Sequence, residues 1–577
     1  MAIPVISITS EDKIEINSHF KISAGPGAGK THWLINHIKH VIRESERLGN
    51  SRKIACITYT NVASETILER LGIQVEQVEV STIHSFLYKN IVKPFAFLIP
   101  SDYELNILRM DGHDEVPVYK GMLYDWKRAT NQTYLNDDKK IIEALSDLAW
   151  HLNEHDEIIL RPRKPYAGRI TKNYSIRSDS YLEYKKMNWR KGTLHHDDVL
   201  FFSYILIKNF SRLLDVLRAR FPYFFVDEFQ DTNPIQTYIL KKISESETTI
   251  GIIGDIAQSI YVFQGARPEH FTDFSIPEMK QYTILDNHRS TNSIVSVLNL
   301  TRSDITQNAN RNIDGEPPRI LVGNYIWAYE KSCEITNGTV CSLSRDNITS
   351  NVMRYKVNGT ISNTNLINDL REIDSNTSRA NIIIACLKAT EFARQLKYKE
   401  AFKELSKELR RSEEDLNIQV NGLNILKTLL SRYEEYKINS LLEYHTLITS
   451  IFPIRMAGFR AGIAKTFYEE HTYYSIALSV NIINDNSIHR TIHKAKGAEF
   501  DNVLLVLNKR DRNGIFLETE ELGYLITPDL THNEEHRIRY VAISRAKNLL
   551  FINVPCISSE NEKILGSKDF QIIKQAD

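Results

Sequence analysis

Eight consecutive residues, Ala24, Gly25, Pro26, Gly27, Ala28, Gly29, Lys30 and Thr31, have the length and the ending of a loop that cradles phosphate. Alanine stands where such a loop usually begins with glycine, and its small side chain still permits a tight strand-to-helix turn. Backbone amides between Gly27 and Lys30 can point at phosphate oxygens, because amides at a helix start carry unneutralised partial positive charge. The Lys30 ammonium would then neutralise the β- and γ-phosphates of ATP, and the Thr31 hydroxyl would hold Mg²⁺. The same residues on their own also suit a plain glycine-rich turn.

A phosphoryl-transfer site needs a second part, an acidic pair at the end of a buried strand. Phe224, Phe225, Val226, Asp227 and Glu228 supply it. Asp227 is placed to hold Mg²⁺ through water, and Glu228 to polarise the attacking water. The division follows from the chemistry, since the metal spreads phosphate charge while a separate base orients the nucleophile.

Positioning these groups takes strands that are apolar on both faces. Such runs recur at 19–24, 53–58, 223–228, 249–254 and 501–507, each followed by a turn and a helical stretch. That pattern predicts parallel α/β sheets. Between them, about 90–195 and 350–470, charges fall at helical spacing, as in the run Lys399–Leu416, which predicts mainly helical insertions. The 577 residues, 42% hydrophobic and 25% charged, exclude collagenous, low-complexity and wholly disordered chains and suggest several domains. Lys+Arg 72 against Asp+Glu 72 leaves no global basic field, so any polyanion site must be local. The five scattered cysteines argue against a disulfide framework or zinc site. Without a signal-like start or an apolar run long enough to span a bilayer, the protein is expected to be cytoplasmic, with no membrane partner.

The motifs, taken in order, resemble those of the UvrD/Rep-like superfamily 1A DNA helicases. After the phosphate loop come Thr58-Tyr59-Thr60-Asn61 and Ser81-Thr82-Ile83-His84-Ser85-Phe86, then Asp197-Asp198. Val226-Asp227-Glu228-Phe229-Gln230-Asp231-Thr232-Asn233 matches motif II, and Gly254-Asp255 with Gln258-Ser259-Ile260-Tyr261 and Phe263-Gln264-Gly265 matches motif III. Asn287-His288-Arg289-Ser290, Thr491–Phe500 and Tyr540–Lys547 stand for motifs IV, V and VI.

The resemblance implies a motor of two RecA-like cores, with ATP in the cleft between them and single-stranded or partly duplex DNA across their tops. Arg289 and Arg545, from the far side of the cleft, would reach the γ-phosphate. Gln258 would sense that phosphate, and Glu499 would hold the ribose. Tyr59, Tyr261 and Phe263 would stack on bases, with Thr60, Asn61, His84 and His493 as polar contacts. The implied domains are a core at 1–89 and 196–284, a helical insertion at 90–195, a second core at 285–380 and 471–577, and a reduced helical insertion at 381–470.

The sequence departs from the family in several places. Thr9–Lys13 lacks the glutamine that reads adenine, His288 replaces the tyrosine that stacks on it, and His32 replaces an arginine after the loop. The short tail after motif VI leaves little room for a strand-separating hairpin. The leading expectation is a 3′-to-5′ DNA helicase or translocase with ATPase stimulated by single-stranded DNA. The alternative is a nucleotide-sensing regulatory ATPase subunit that gates a partner nuclease, as in Gabija-type anti-phage defence complexes.

Overall fold

A computed structural model of the chain describes residues 4–113, 118, 120–164, 166–356, 365–409, 415–481, 487–511 and 513–576. The chain divides into two compact units, 1–313 with 528–540, and 314–527 with 541–577.

In the first unit, β1 (Val5–Ile8), β2 (Phe20–Ala24), β3 (Ile54–Thr58) and β4 (Val78–Thr82) precede an antiparallel hairpin of β5 (Leu148–Leu152) and β6 (Ile158–Pro162). Then follow β7 (Tyr223–Val226), β8 (Thr249–Gly254) and β9 (Lys280–Ile284). Seven of these strands form one sheet in the order β1-β9-β2-β8-β7-β3-β4, with every pairing parallel. Alternation along β7 shows why its sequence is apolar throughout. Phe224 and Val226 enter a core with Phe86, Trp189 and Phe229, while Tyr223 and Phe225 enter another with Trp33, Leu34 and Ile38. The helix Lys30–Glu44 leaves β2, and the motif II residues leave β7, so the catalytic candidates gather where parallel strands end.

The expected insertion at 90–195 carries helices Lys120–Ala129, Asp138–Ser146 and Ser180–Trp189 around Trp126, Ile141 and Tyr184. It also contains the β5–β6 hairpin, so it is not purely helical. A short parallel pair, β10 (Asp286–Asn287) and β11 (Asn308–Ala309), closes this unit. Residues 285–313, expected in the second core, therefore belong to the first unit. Two buried side-chain amides tie them to the phosphate loop: Asn287 Nδ2 and Gln307 Nε2 donate to Pro26 O at 3.1 and 2.9 Å.

The second unit holds β12 (Arg319–Val322), β13 (Cys341–Ser344), β14 (His489–Thr491), β15 (Phe500–Val506), β16 (Ala546–Val554) and β17 (Gln571–Lys574). They form an all-parallel sheet in the order β14-β13-β15-β16-β12-β17. A helical subdomain with its own core, from Ile367 to Val480 and including Ile383, Leu405 and Tyr473, is inserted between β13 and β14. This core is wider than the expected 381–470, because the helix Leu366–Ile373 and the short helix Tyr473–Ala477 bury their apolar faces in it. Residues 410–414 of the charged run lie outside the described residues. Among the described residues no helix is long and apolar enough to cross a membrane.

Candidate functional site

The phosphate loop begins inside the sheet and ends at a helix. Ala24 and Ala28 are buried, and the backbone turns at Gly27 (φ 71°) and Gly29 (φ 79°), a region that side chains disfavour. A Cβ on Gly27 would lie 2.7 Å from Asn287 Oδ1 and 2.8 Å from Arg289 Cβ, so the 286–313 segment sits directly on the loop. A Cβ on Gly25 would strike the Gln307 amide. Lys30 Nζ donates to Ala24 O at 3.1 Å and Gly25 O at 3.2 Å, turned back over the loop that it would serve.

Thr31 Oγ1 donates to Asp227 Oδ2 at 3.5 Å, which brings the two expected Mg²⁺ holders together from strands separated by β8. Burial and then the neighbouring Glu228 carboxylate push the Asp227 carboxyl up to about 7, with Lys30 pulling the other way. A hydroxyl beside a buried carboxylate whose charge is only partly compensated is a donor set that suits a divalent cation. Glu228 follows in a left-handed backbone conformation (φ 54°, ψ 41°), costly for a non-glycine residue and characteristic of functional turns. Its amide donates to Asp227 Oδ1 at 3.0 Å.

From Glu228 a hydrogen-bonded chain runs into motif III. The buried Gln230 donates from Nε2 to Glu228 Oε2 and accepts the Asp255 amide on Oε1 at 3.0 Å. Asp255 Oδ2 accepts from Gln258 Nε2 at 2.7 Å, and Ser259 Oγ donates to Gln230 O at 3.1 Å. Arg302 adds its guanidinium to Asp255. Gln230, Arg302, Asn287 and Gln307 went unassigned in the sequence reading. Gln230 and Asn287 lay within recognised motifs, whereas nothing local marked Arg302 or Gln307.

The remaining candidates divide by unit. In the first, Arg289 is partly buried beside Gly27, and its amide donates to Asn287 Oδ1 at 3.0 Å. It therefore shares a unit with the loop, a correction to the expectation that it comes from the far side. His288 is exposed, with its amide on Gly27 O at 3.0 Å. His32 contacts Glu11 at 2.8 Å, so the stretch lacking the family glutamine still packs on the loop helix. Tyr59 and Tyr261 stack on each other, ring centres 4.5 Å apart, and Tyr59 Oη donates to Gln264 Oε1 at 2.6 Å. Tyr261 is only 8% exposed, whereas Phe263 is 57% exposed. Thr60 caps the helix Asn61–Leu71, accepting from Ala63 N, and Asn61 is exposed at its first turn. His84 is partly buried in the helix Ile83–Leu87.

In the second unit, Arg545 is buried, donating from Nε to Val541 O at 3.0 Å and from a terminal nitrogen to Ser544 Oγ at 2.8 Å. Glu499 is exposed and pairs with Lys547 at 3.3 Å, and His493 is partly buried in the short helix Ile492–Ala495.

Residues 9–277 match the UvrD/REP helicase N-terminal domain and residues 334–555 the UvrD-like helicase C-terminal domain. The chain is 28% identical over half its length to the ATP-dependent DNA helicase PcrA of Bacillus subtilis, covering 38% of that protein. It is 23% identical over 92% of its length to the putative ATP-dependent DNA helicase YjcD of the same organism, covering 76% of it. Over 49% of the chain it is 27% identical to the Gabija protein GajB of Bacillus cereus, covering 46% of that protein. The match thus spans less than half of PcrA and of GajB. With both family domains present in order on two parallel α/β sheets, the chain belongs to the UvrD/Rep helicase family.

Proposed function

We propose that this protein is an ATP-dependent DNA helicase or translocase, with ATPase stimulated by single-stranded DNA and 3′-to-5′ polarity. The observation that carries this reading is the hydrogen-bonded chain from Glu228 through Gln230 and Asp255 to Gln258, three residues before Tyr261. It joins the residue that would orient water to the segment that would meet bases.

In this reading the amides at Gly27–Lys30 bind the ATP phosphates, and Lys30 leaves the carbonyls of Ala24 and Gly25 for the phosphate oxygens. Thr31 and Asp227 would hold Mg²⁺, which when bound neutralises phosphate charge. Glu228 accepts a proton from the attacking water, and Gln230 keeps its carboxylate oriented. Arg289, beside Gly27, supplies positive charge as the phosphates separate. Polarity follows the superfamily resemblance. Strand displacement on partial duplexes tests the reading: unwinding of a 3′-tailed duplex alone supports it, and unwinding of a 5′-tailed duplex alone contradicts the polarity.

Similarity to GajB favours a second reading, a nucleotide-sensing regulatory ATPase that gates a partner nuclease in an anti-phage defence complex. ATP turnover indifferent to DNA, together with stoichiometric co-purification of a nuclease, would support it over the first.

A further inference from the structure

Four successive carbonyls of the phosphate loop are each held by a donor. Lys30 takes those of Ala24 and Gly25, and the His288 amide takes that of Gly27 at 3.0 Å. Pro26 O accepts two side-chain amides, Asn287 Nδ2 at 3.1 Å and Gln307 Nε2 at 2.9 Å. A carbonyl can only accept, so both side chains must present their nitrogen to it. Gln307 Oε1 then accepts from Asn287 Nδ2 at 3.4 Å, and Asn287 Oδ1 is left to accept the Arg289 and Ser290 amides, each at 3.0 Å. One buried amide pair thus joins the phosphate loop to the turn that carries Arg289.

Gln307 is itself fixed from two sides. Asn299, in the helix Asn292–Thr301, accepts the Gln307 amide on Oδ1 and donates from Nδ2 to Gln307 O, both at 2.9 Å. The next residue enters β11, its amide on Leu285 O at 2.8 Å. Room for the side chain comes from Gly25, where a Cβ would lie 2.5 Å from Nε2 and 2.6 Å from Cδ. The consequence for phosphate follows from peptide geometry. Among the described residues no peptide is cis, and a planar trans peptide sets its N–H opposite its C=O. Holding Pro26 O towards the amide pair therefore holds the Gly27 N–H in the opposite direction. With glycine at 25, 27 and 29 the free loop has many conformations to lose, and fixing an amide beforehand lowers the cost of ordering it on a ligand.

We propose that Gln307 is a positioning residue for nucleotide binding. Without touching the phosphates, it pre-orients the Gly27 amide through Pro26 O and, through Asn287, seats the Arg289 turn on the same loop. The proposal rests on the reading of residues 24–31 as a phosphate loop and adds to it a residue outside every motif.

The test is equilibrium binding of a fluorescent ADP analogue, together with kcat and KM for ATP and the melting curve without nucleotide. Wild type is compared with Gln307→Leu, Gln307→Ala, Gly25→Ala and the double variant Gly25→Ala with Gln307→Ala. Both Gln307 variants should bind ADP roughly three- to tenfold more weakly, the worth of one hydrogen bond. KM should rise with that loss and kcat should fall by less, because the ground state and the transition state share the grip on phosphate. Gly25→Ala should also weaken binding, by pushing Gln307 off Pro26 O. The double variant should then bind no more weakly than Gly25→Ala alone, since both changes break the same contact. Gln307 variants that bind ADP as tightly as wild type, or losses that multiply in the double variant, would overturn the positioning role and leave the phosphate loop standing. So would a binding loss that only tracks a smaller folded fraction at the assay temperature, or a fall in kcat at unchanged ADP affinity. Failure of wild type to bind ADP would overturn the phosphate loop as well.

Discussion

Arg302 and Asp255 form an ion pair in which both side chains are only 1% exposed, Nη2 lying 3.0 Å from Oδ1 and Nη1 3.3 Å from Oδ2. Burial alone would raise the Asp255 carboxyl, but Arg302, then Lys30 and the bonds from Gln258 and Arg302, hold it below the usual range. Arg302 also donates to Tyr540 Oη at 3.0 Å and to Asp304. The pair thus anchors the carboxylate that fixes Gln258.

Removing one partner strands the other. Arg302→Met should cost about 3–5 kcal/mol of stability in urea unfolding, because it leaves a buried carboxylate uncompensated. Adding Asp255→Leu should return a large part of that loss. Additive losses in the two single variants would contradict the coupling.

Glu228→Gln should keep ATP binding and lower turnover by roughly 10²–10⁴-fold, since the side chain retains its shape and loses its basicity. Lys30→Ala should lose turnover and weaken ATP binding, with an unchanged circular dichroism spectrum. Single-turnover hydrolysis alongside equilibrium binding of a fluorescent ATP analogue separates the two effects. Wild-type turnover in Glu228→Gln would assign the water to another group.

His37 makes the fold acid-sensitive. Its ring stacks on Trp33 at 4.8 Å, with Phe20 and Phe225 edge-on, and neither ring nitrogen has a hydrogen-bond partner. Burial first, then His40, lowers its pKa to about 3. The unfolded chain titrates near 6.5, so between about pH 6.5 and 3 the unfolded state binds the extra proton and stability falls with pH, by up to about 1.4 kcal/mol per unit. Stability from this group is fully present above 6.5. His37→Phe should flatten the fall in melting temperature over that window; an unchanged acid limb would contradict the assignment.

The parts of this molecule that could be read from sequence are local in the chain. β2, β7, β8 and β15 announced themselves by apolar runs, most completely in β7 and β8, which are buried at every position, and the loop at 24–31 and the acidic pair at 227–228 follow their strands directly. What escaped reading is held by distant partners. Gln307 looks like an ordinary surface amide until it meets Pro26 O, and together with Asn287 of motif IV it ties a stretch beyond the expected limit of 284 to the first unit, which runs to 313. The family resemblance, rather than anything local, marked Tyr261 for base stacking, and the structure shows its ring stacked on Tyr59. The hairpin β5–β6 lay in a stretch read as helical from its charge spacing, because its two strands are only five residues each within that longer charged stretch.

The central claim is that nucleic acid stacked at motif III drives ATP hydrolysis at Glu228, and Phe263 is the residue through which to test it. At 57% exposure its ring lies outside the buried core, with its centre 6.1 Å from that of Tyr261, so Phe263→Ala should melt within about 1 kcal/mol of wild type. The loss of one base stack, roughly 1–3 kcal/mol, should fall on DNA coupling instead. The decisive measurement is steady-state ATP turnover of wild type and Phe263→Ala with and without single-stranded DNA. The account predicts strong stimulation of wild type, with equal basal rates in the two proteins and little stimulation of the variant. Wild-type turnover unchanged by DNA, or a variant stimulated as fully as wild type, would contradict it.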